Sequence, residues 1–170
     1  MSAEPDVQLA VCQAVHEPVL STFELPEEQL MFTGLPVEVL PQCRQDPARH
    51  PIVILADDVP VGFFVLHEGE GIRTYTDNPR ALLLRAFSIN TPHQGKGYAK
   101  RALRLLPAFA AAHFPHCNEV MLVVNQRNIP AKQLYLACGF VDHGETRIGS
   151  IGPQHVLRMP LAQAPASAGT

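Results

Sequence analysis

Residues 81–103 read ALLLRAFSINTPHQGKGYAKRAL, a stretch that changes character twice. Ala81 to Ile89 is apolar apart from Arg85 and Ser88 and reads as a strand, the fourth along the chain. Further on, Ala99, Ala102, Leu103, Leu106 and Ala110 follow helical spacing, with Lys100, Arg101 and Arg104 on the other side. Between the two lie Gly95 and Gly97. Glycine costs about 1 kcal/mol relative to alanine inside a helix, so two of them at a helix start need a cause. A strand that turns through glycines into a helix presents free backbone N–H groups at the positive end of the helix dipole. That is an anion site, and phosphate is its usual occupant. Lys96, Lys100 and Arg101 add positive charge beside it.

Three phosphate loops compete. The P-loop pattern fails because Lys96 is followed by Gly97 and Tyr98. The dinucleotide pattern G-x-G-x-x-G fails at Lys100, and it belongs after a first strand, not a fourth. Gln-x-x-Gly-x-Ala fits, as Gln94, Gly97 and Ala99. A second segment, Val120 to Phe140, reads VMLVVNQRNIPAKQLYLACGF. Its apolar run suggests a buried strand, and Asn128 to Cys138 reads as a helix stopped by Gly139.

The two segments together resemble the GNAT superfamily of N-acetyltransferases. HQGKGYAKRAL is similar to that family's pyrophosphate loop, Q/R-x-x-G-x-G/A. Val124, Asn125, Asn128, Ala131, Leu134, Tyr135, Gly139 and Phe140 fall in register with its second motif. The likeness is close over residues 51–141 and holds only in outline before that. It implies an α+β fold: a central, mostly antiparallel sheet of six to seven strands, splayed between strands 4 and 5 and flanked by about four helices. Acetyl-CoA is the implied cofactor. Its pantetheine would pair with the backbone of Phe87, Ser88 and Ile89, and its pyrophosphate would sit on Gln94, Gly95, Lys96, Gly97, Tyr98, Ala99 and Lys100. Asn125, Asn128, Ala131 and Tyr135 complete the implied coenzyme contacts, with Tyr135 as the acid that protonates the leaving thiolate. Asn128 and Tyr135 are seven residues apart, two helical turns, and face one side. A thiol of pKa about 8.5 and a tyrosine of about 10 make that transfer nearly balanced.

The base is not marked by any residue. Family members that carry a glutamate on the fourth strand have it where this chain has Leu83, which leaves water relays through His67, Glu68 or Ser88. Deprotonating a lysine-like amine at about pH 7.4 costs roughly 4 kcal/mol, and an α-amine under about 1. For the acceptor, Arg85 pairs structurally with an acid or holds a substrate carboxylate. Glu28, with Glu24 and Glu27, either favours a cationic amine or caps a helix; Ser88 is a further acceptor contact. His113, His116 and Cys117 have a spacing that matches no common metal site, so no metal is expected and they read as a solvated turn.

Elsewhere, Val7 to Val15 reads as a first strand, and Glu17 to Leu40 as two short helices. Pro51–Ala56 and Val61–Leu66 form a hairpin about Asp57–Pro60. Glu68 to Arg80 is a loop, Pro107 kinks or loosens its helix, and Phe140–Val141 and His155–Leu161 close the sheet. Residues 1–161 form one domain and 162–170 a frayed tail. The chain has 170 residues, 46% hydrophobic and 17% charged, an ordinary globular composition. No apolar run approaches the roughly 20 residues of a membrane span, and a net charge of -3 argues against nucleic acid as the main partner. Acids near the N-terminus and four scattered cysteines point to the cytoplasm with reduced thiols. The expected activity is acetyl transfer to a primary amine of a small molecule or peptide, with a homodimer compatible. The alternatives are a non-catalytic acyl-CoA sensor on the same fold and, third, a dinucleotide-binding oxidoreductase.

Overall fold

A computed structural model describes residues 4–162. The described residues form seven strands: β1 (Val7–Val11), β2 (Arg49–Ala56), β3 (Val59–His67), β4 (Ala81–Ile89), β5 (Glu119–Asn125), β6 (Val141–Gly149) and β7 (Gly152–Pro160). The α-helices are α1 (Glu17–Leu20), α2 (Glu27–Leu30), α3 (Pro36–Gln45), α4 (Tyr98–His113) and α5 (Ile129–Ala137). One sheet runs in the order β1-β2-β3-β4-β5-β7-β6, and every pairing is antiparallel except β4 with β5.

Alternation along the strands divides the interior. Ile52, Ile54, Phe64, Leu66, Leu82 and Leu84 pack under Ala102, Leu103, Leu106 and Ala110 of α4. Val53, Leu55, Phe63 and Val65 face the other way, against Leu20, Phe23, Leu40 and Cys43. A third cluster joins Ile72, Leu83 and Met121 to Tyr75. Leu106 and Phe63 are fully buried, and burying a side chain of this kind is worth about 1.5–3 kcal/mol. The two layers hold the sheet from both sides, which is why β3 shows no polar face.

Several expectations need correction. Strand β1 stops at Val11, short of the expected Val15, and a 3-10 turn follows at Ala14–His16. Three short α-helices, not two, occupy residues 17–45. The β2–β3 turn tightens to Asp57–Asp58, both at positive φ (46° and 65°), so Val59 and Pro60 join β3. Pro107 lies inside α4, which continues to His113, with Leu103, Leu106 and Ala110 buried on either side of the lost hydrogen bond. Strand β6 extends to Gly149, well beyond the expected Val141. The proposed tail falls, apart from Ala162, outside the described residues. The described cysteines are all free thiols, and among the described residues no helix is long and apolar enough to cross a membrane.

Candidate active site

Strands β4 and β5 pair only at Ala81–Glu119, Leu82–Val120 and Leu83–Met121. Beyond Leu83 they part. The β5-facing backbone of β4 is left without a strand partner, and a cleft of about 1100 Å³ opens over the gap. At its centre β4 carries a bulge: Phe63 pairs with Ser88 and Val65 with Arg85, so Ala86 and Phe87 together face Phe64. Ala86 takes φ +55° to make it. The extra residue reverses the alternation. Arg85 and Ala86 consequently share the α3 side, while Phe87 turns to the α4–α5 side. There its ring stacks on Phe64 at 5.7 Å and meets Tyr135 edge-on at 6.2 Å, and Phe140 supports Tyr135 from 5.7 Å.

The cleft brings together most of the residues singled out from sequence: Phe87, Ser88, Ile89, Gln94, Gly95, Gly97, Tyr98, Ala99, Lys100, Asn125, Asn128, Ala131 and Tyr135, with Glu28 and Arg85. Lys96 is exposed and does not line it. Three side chains are committed to the protein itself. Gln94 donates to Ile89 O at 2.8 Å and exchanges hydrogen bonds with Gln29. Asn125 accepts from Arg127 N at 2.9 Å and donates to Ile151 O at 3.2 Å. Tyr98 is buried in the core.

Other groups are open to a ligand. Gly95 and Gly97 have φ +77° and +80°, and a Cβ at either would meet no protein atom within 4 Å. Gly97 is the N-cap of α4, whose first N–H groups have no intrahelical partner. Asn128 stands at the N-cap of α5 but makes no side-chain capping bond. Ser88 is buried, and its Oγ has no hydrogen-bond partner. An unpaired buried hydroxyl costs free energy that a bound polar group would offset. Burial raises the Tyr135 pKa well above the usual tyrosine value, and no described residue hydrogen-bonds its hydroxyl. A positive-φ anion loop, an orphaned hydroxyl and a strand edge without a partner fit coenzyme A along this cleft.

The relay candidates fare differently. Leu83 is buried and apolar. Glu68 lies outside the cleft, where His50 Nε2 contacts Oε2 at 2.8 Å and His116 Nε2 contacts Oε1 at 2.7 Å. Of the expected solvated turn, His113 and His116 are exposed while Cys117 is buried; Glu68, His116 and Cys117 place ligand-type atoms within 4.8 Å of one another. His67 is buried too, and burial first, then Arg49 and Arg85, bring its pKa down to about 4. Glu24 and Glu27 do not line the cleft. Arg85 pairs with no acid; Nη1 donates to His67 Nδ1 at 3.1 Å.

Part of the cleft lining carries no mark in the sequence. Met31, Phe32, Thr33, Glu38, Gln42, Arg49, Tyr75, Ser150 and Gln154 belong to it, from five separate segments. Tyr75 alone carried a signal, as the one aromatic in a polar loop.

The profile of the acetyltransferase (GNAT) family matches residues 18–140. The chain belongs to that family. Acetyl-CoA is the acyl donor of such enzymes. A protein of Bacillus subtilis (strain 168) described as an uncharacterized N-acetyltransferase, YbbJ, is 48% identical over 153 residues, 89% of this chain and 96% of its own. Among solved structures, aminoglycoside acetyltransferase AAC(6')-Ib in complex with coenzyme A aligns with TM-score 0.75 at 17% identity, over 91% of this chain and 95% of that one. A spermidine N-acetyltransferase SpeG chimera from Vibrio cholerae and hSSAT aligns with TM-score 0.65 at 19% identity, over 91% and 94%. These two likenesses speak to the GNAT fold.

Proposed function

We propose that this GNAT-family chain transfers the acetyl group of acetyl-CoA directly to a primary amine of a small molecule or peptide. One observation carries the reading: the parting of β4 and β5 beyond Leu83, with Tyr135 on one side of the gap and the unpartnered β4 backbone on the other. The solved relatives named for aminoglycosides and spermidine, both amines, support an amine acceptor.

Bound acetyl-CoA supplies a thioester whose carbonyl carbon an amine can attack. The chain's own groups do the rest. Main-chain N–H groups at Gly97 to Lys100 hold the pyrophosphate, with Lys100 adding charge. Phe87, Ser88 and Ile89 extend their backbone along the pantetheine as an added strand partner. Asn125, Asn128 and Ala131 border the coenzyme from the start of α5. Backbone N–H of β4 meets the negative charge that develops on the acyl oxygen. Positioning supplies much of the acceleration.

Tyr135 donates its phenolic proton to the departing sulfur. The burial that raises its pKa keeps it protonated, and the same surroundings raise a thiol, so the difference between them sets the driving force. With an apolar Leu83 at the strand position and His67 neutral and buried, solvent water in the cleft takes the proton of the amine, with Ser88 Oγ, which stands without a partner, as the relay. Thiol release measured with acetyl-CoA across a panel of amines tests the reading. Acetylation of at least one amine supports it, and coenzyme binding without transfer to any amine favours a non-catalytic sensor.

A further inference from the structure

The cleft floor on the α3 side carries more positive charge than its neighbours balance. Arg85 spends one N–H on His67, and Arg147 of β6, just behind the cleft lining, donates to Gln154 Oε1 at 2.8 Å. Both guanidiniums flank a single ring, that of Tyr75, with Cζ 5.6 Å and 4.2 Å from its centroid. Arg49 is near enough to repel Arg85, as is Arg147. Among the described residues the arginine ion pairs use Arg44, Arg49, Arg73 and Arg158, and none uses Arg85 or Arg147. The nearby acid Asp46 is taken by the others: it lies 3.3 Å from Arg49 Nε and 3.6 Å from His67 Nε2. Glu28 and Glu38, the carboxylates that line the cleft, are exposed on α2 and α3.

A guanidinium cannot escape this position by losing its proton, as a lysine could. Partly withdrawn from water and unpaired, it is unfavourable in the resting protein and favourable once an anion arrives. His67 fixes one edge of the fork and the Tyr75 ring flanks it, leaving further N–H groups for a planar, two-oxygen ligand. The β4 bulge puts Ser88 on the same sheet face, opposite Phe63 as Arg85 is opposite Val65. Three residues of strand separate them, about 10 Å at most.

We infer that Arg85 anchors an anion subsite and that the acceptor is a small amine bearing a carboxylate, an amino acid or a short peptide. The guanidinium holds the carboxylate bidentately while the amine lies toward Ser88. This deepens the acyltransferase reading and rests on it. The same charge disfavours polycations, so the acceptor differs in kind from the polyamine for which one structural relative is named.

The test uses the purified chain, acetyl-CoA and matched acceptors: amino acids, the corresponding carboxamides, and spermidine as a polycation. The expected result is a kcat/KM at least about tenfold higher for one or more free acids than for the matching amides. Arg85→Gln erases that ratio by raising KM for the acid, and Arg85→Lys restores part of it. Should Arg85→Gln fail to fold, the wild-type ratio stands on its own, together with competitive inhibition by N-acetyl amino acids but not by their amides. Preference for amides or spermidine, or no activity with any carboxylate-bearing acceptor, overturns the subsite. A protein that binds coenzyme A and acetylates only neutral or cationic amines keeps the acyltransferase reading and loses the subsite. One that does not bind coenzyme A loses both.

Discussion

Arg85 Nη1 donates to His67 Nδ1 across 3.1 Å, and this contact fixes the state of the imidazole. A guanidinium has no acceptor, so Nδ1 must be the bare nitrogen and Nε2 must carry the proton, toward Asp46 Oδ2 at 3.6 Å. His67 is neutral when folded, with its pKa down at about 4, and titrates near 6.5 when unfolded. Between those values the unfolded chain binds the extra proton, so stability is full above about pH 6.5 and falls as pH drops toward 4. The loss reaches roughly 3 kcal/mol. Denaturant titrations at several pH values check it, with His67→Gln flattening this part of the profile. An NMR titration showing His67 protonated by pH 6 would contradict it.

Tyr135 touches Phe87 and Phe140 through its ring, and its hydroxyl is bonded to no described residue. Tyr135→Phe should leave the fold and the acetyl-CoA affinity nearly unchanged while kcat drops about 10²- to 10⁴-fold. Steady-state kinetics beside calorimetry separate the two effects. Unaltered turnover removes the acid role.

Gly97 and Gly144 both have positive φ and open surroundings, but only Gly97 borders the cleft. Gly97→Glu and Gly144→Glu should each cost about 1–2 kcal/mol of stability from the left-handed backbone. Only the first should abolish coenzyme binding, by bulk and charge in the phosphate loop. Equal binding by both variants would count against the loop assignment.

Valine normally favours a strand interior. At Ala86, φ +55° reverses that preference, since a β-branched side chain there clashes with its own backbone. Ala86→Val should destabilise by more than about 1–2 kcal/mol and, by disturbing the bulge that aims Phe87 at Tyr135, lower kcat as well. A thermal melt showing no loss would mean that the bulge is absent.

The parts of this fold that could be read beforehand are those where burial imposes a period. Strand β4 begins and ends where its apolar run does, α4 follows its alanine and leucine spacing, and the Val120–Phe140 segment gives strand, loop and helix in turn. Strand β6 could not be read. It is a mostly exposed edge, and Asp142, His143, Gly144 and Glu145 show no alternation. Nor could the bulge, because an alanine carries no mark of positive φ. Of the two readings of Arg85, a structural acid or a substrate carboxylate, neither named its actual contact, a histidine from the facing strand that only the β3–β4 register brings to it. The rest of the cleft lining is hidden for the same reason, being assembled from helix, strand and loop positions far apart in the chain.

Isothermal titration of the purified protein with coenzyme A tests the central claim most directly. Saturable binding at one site per chain, lost in Gly97→Glu and retained in Gly144→Glu, is the result expected. No heat of association with coenzyme A or acetyl-CoA, from protein that melts cooperatively, would contradict it.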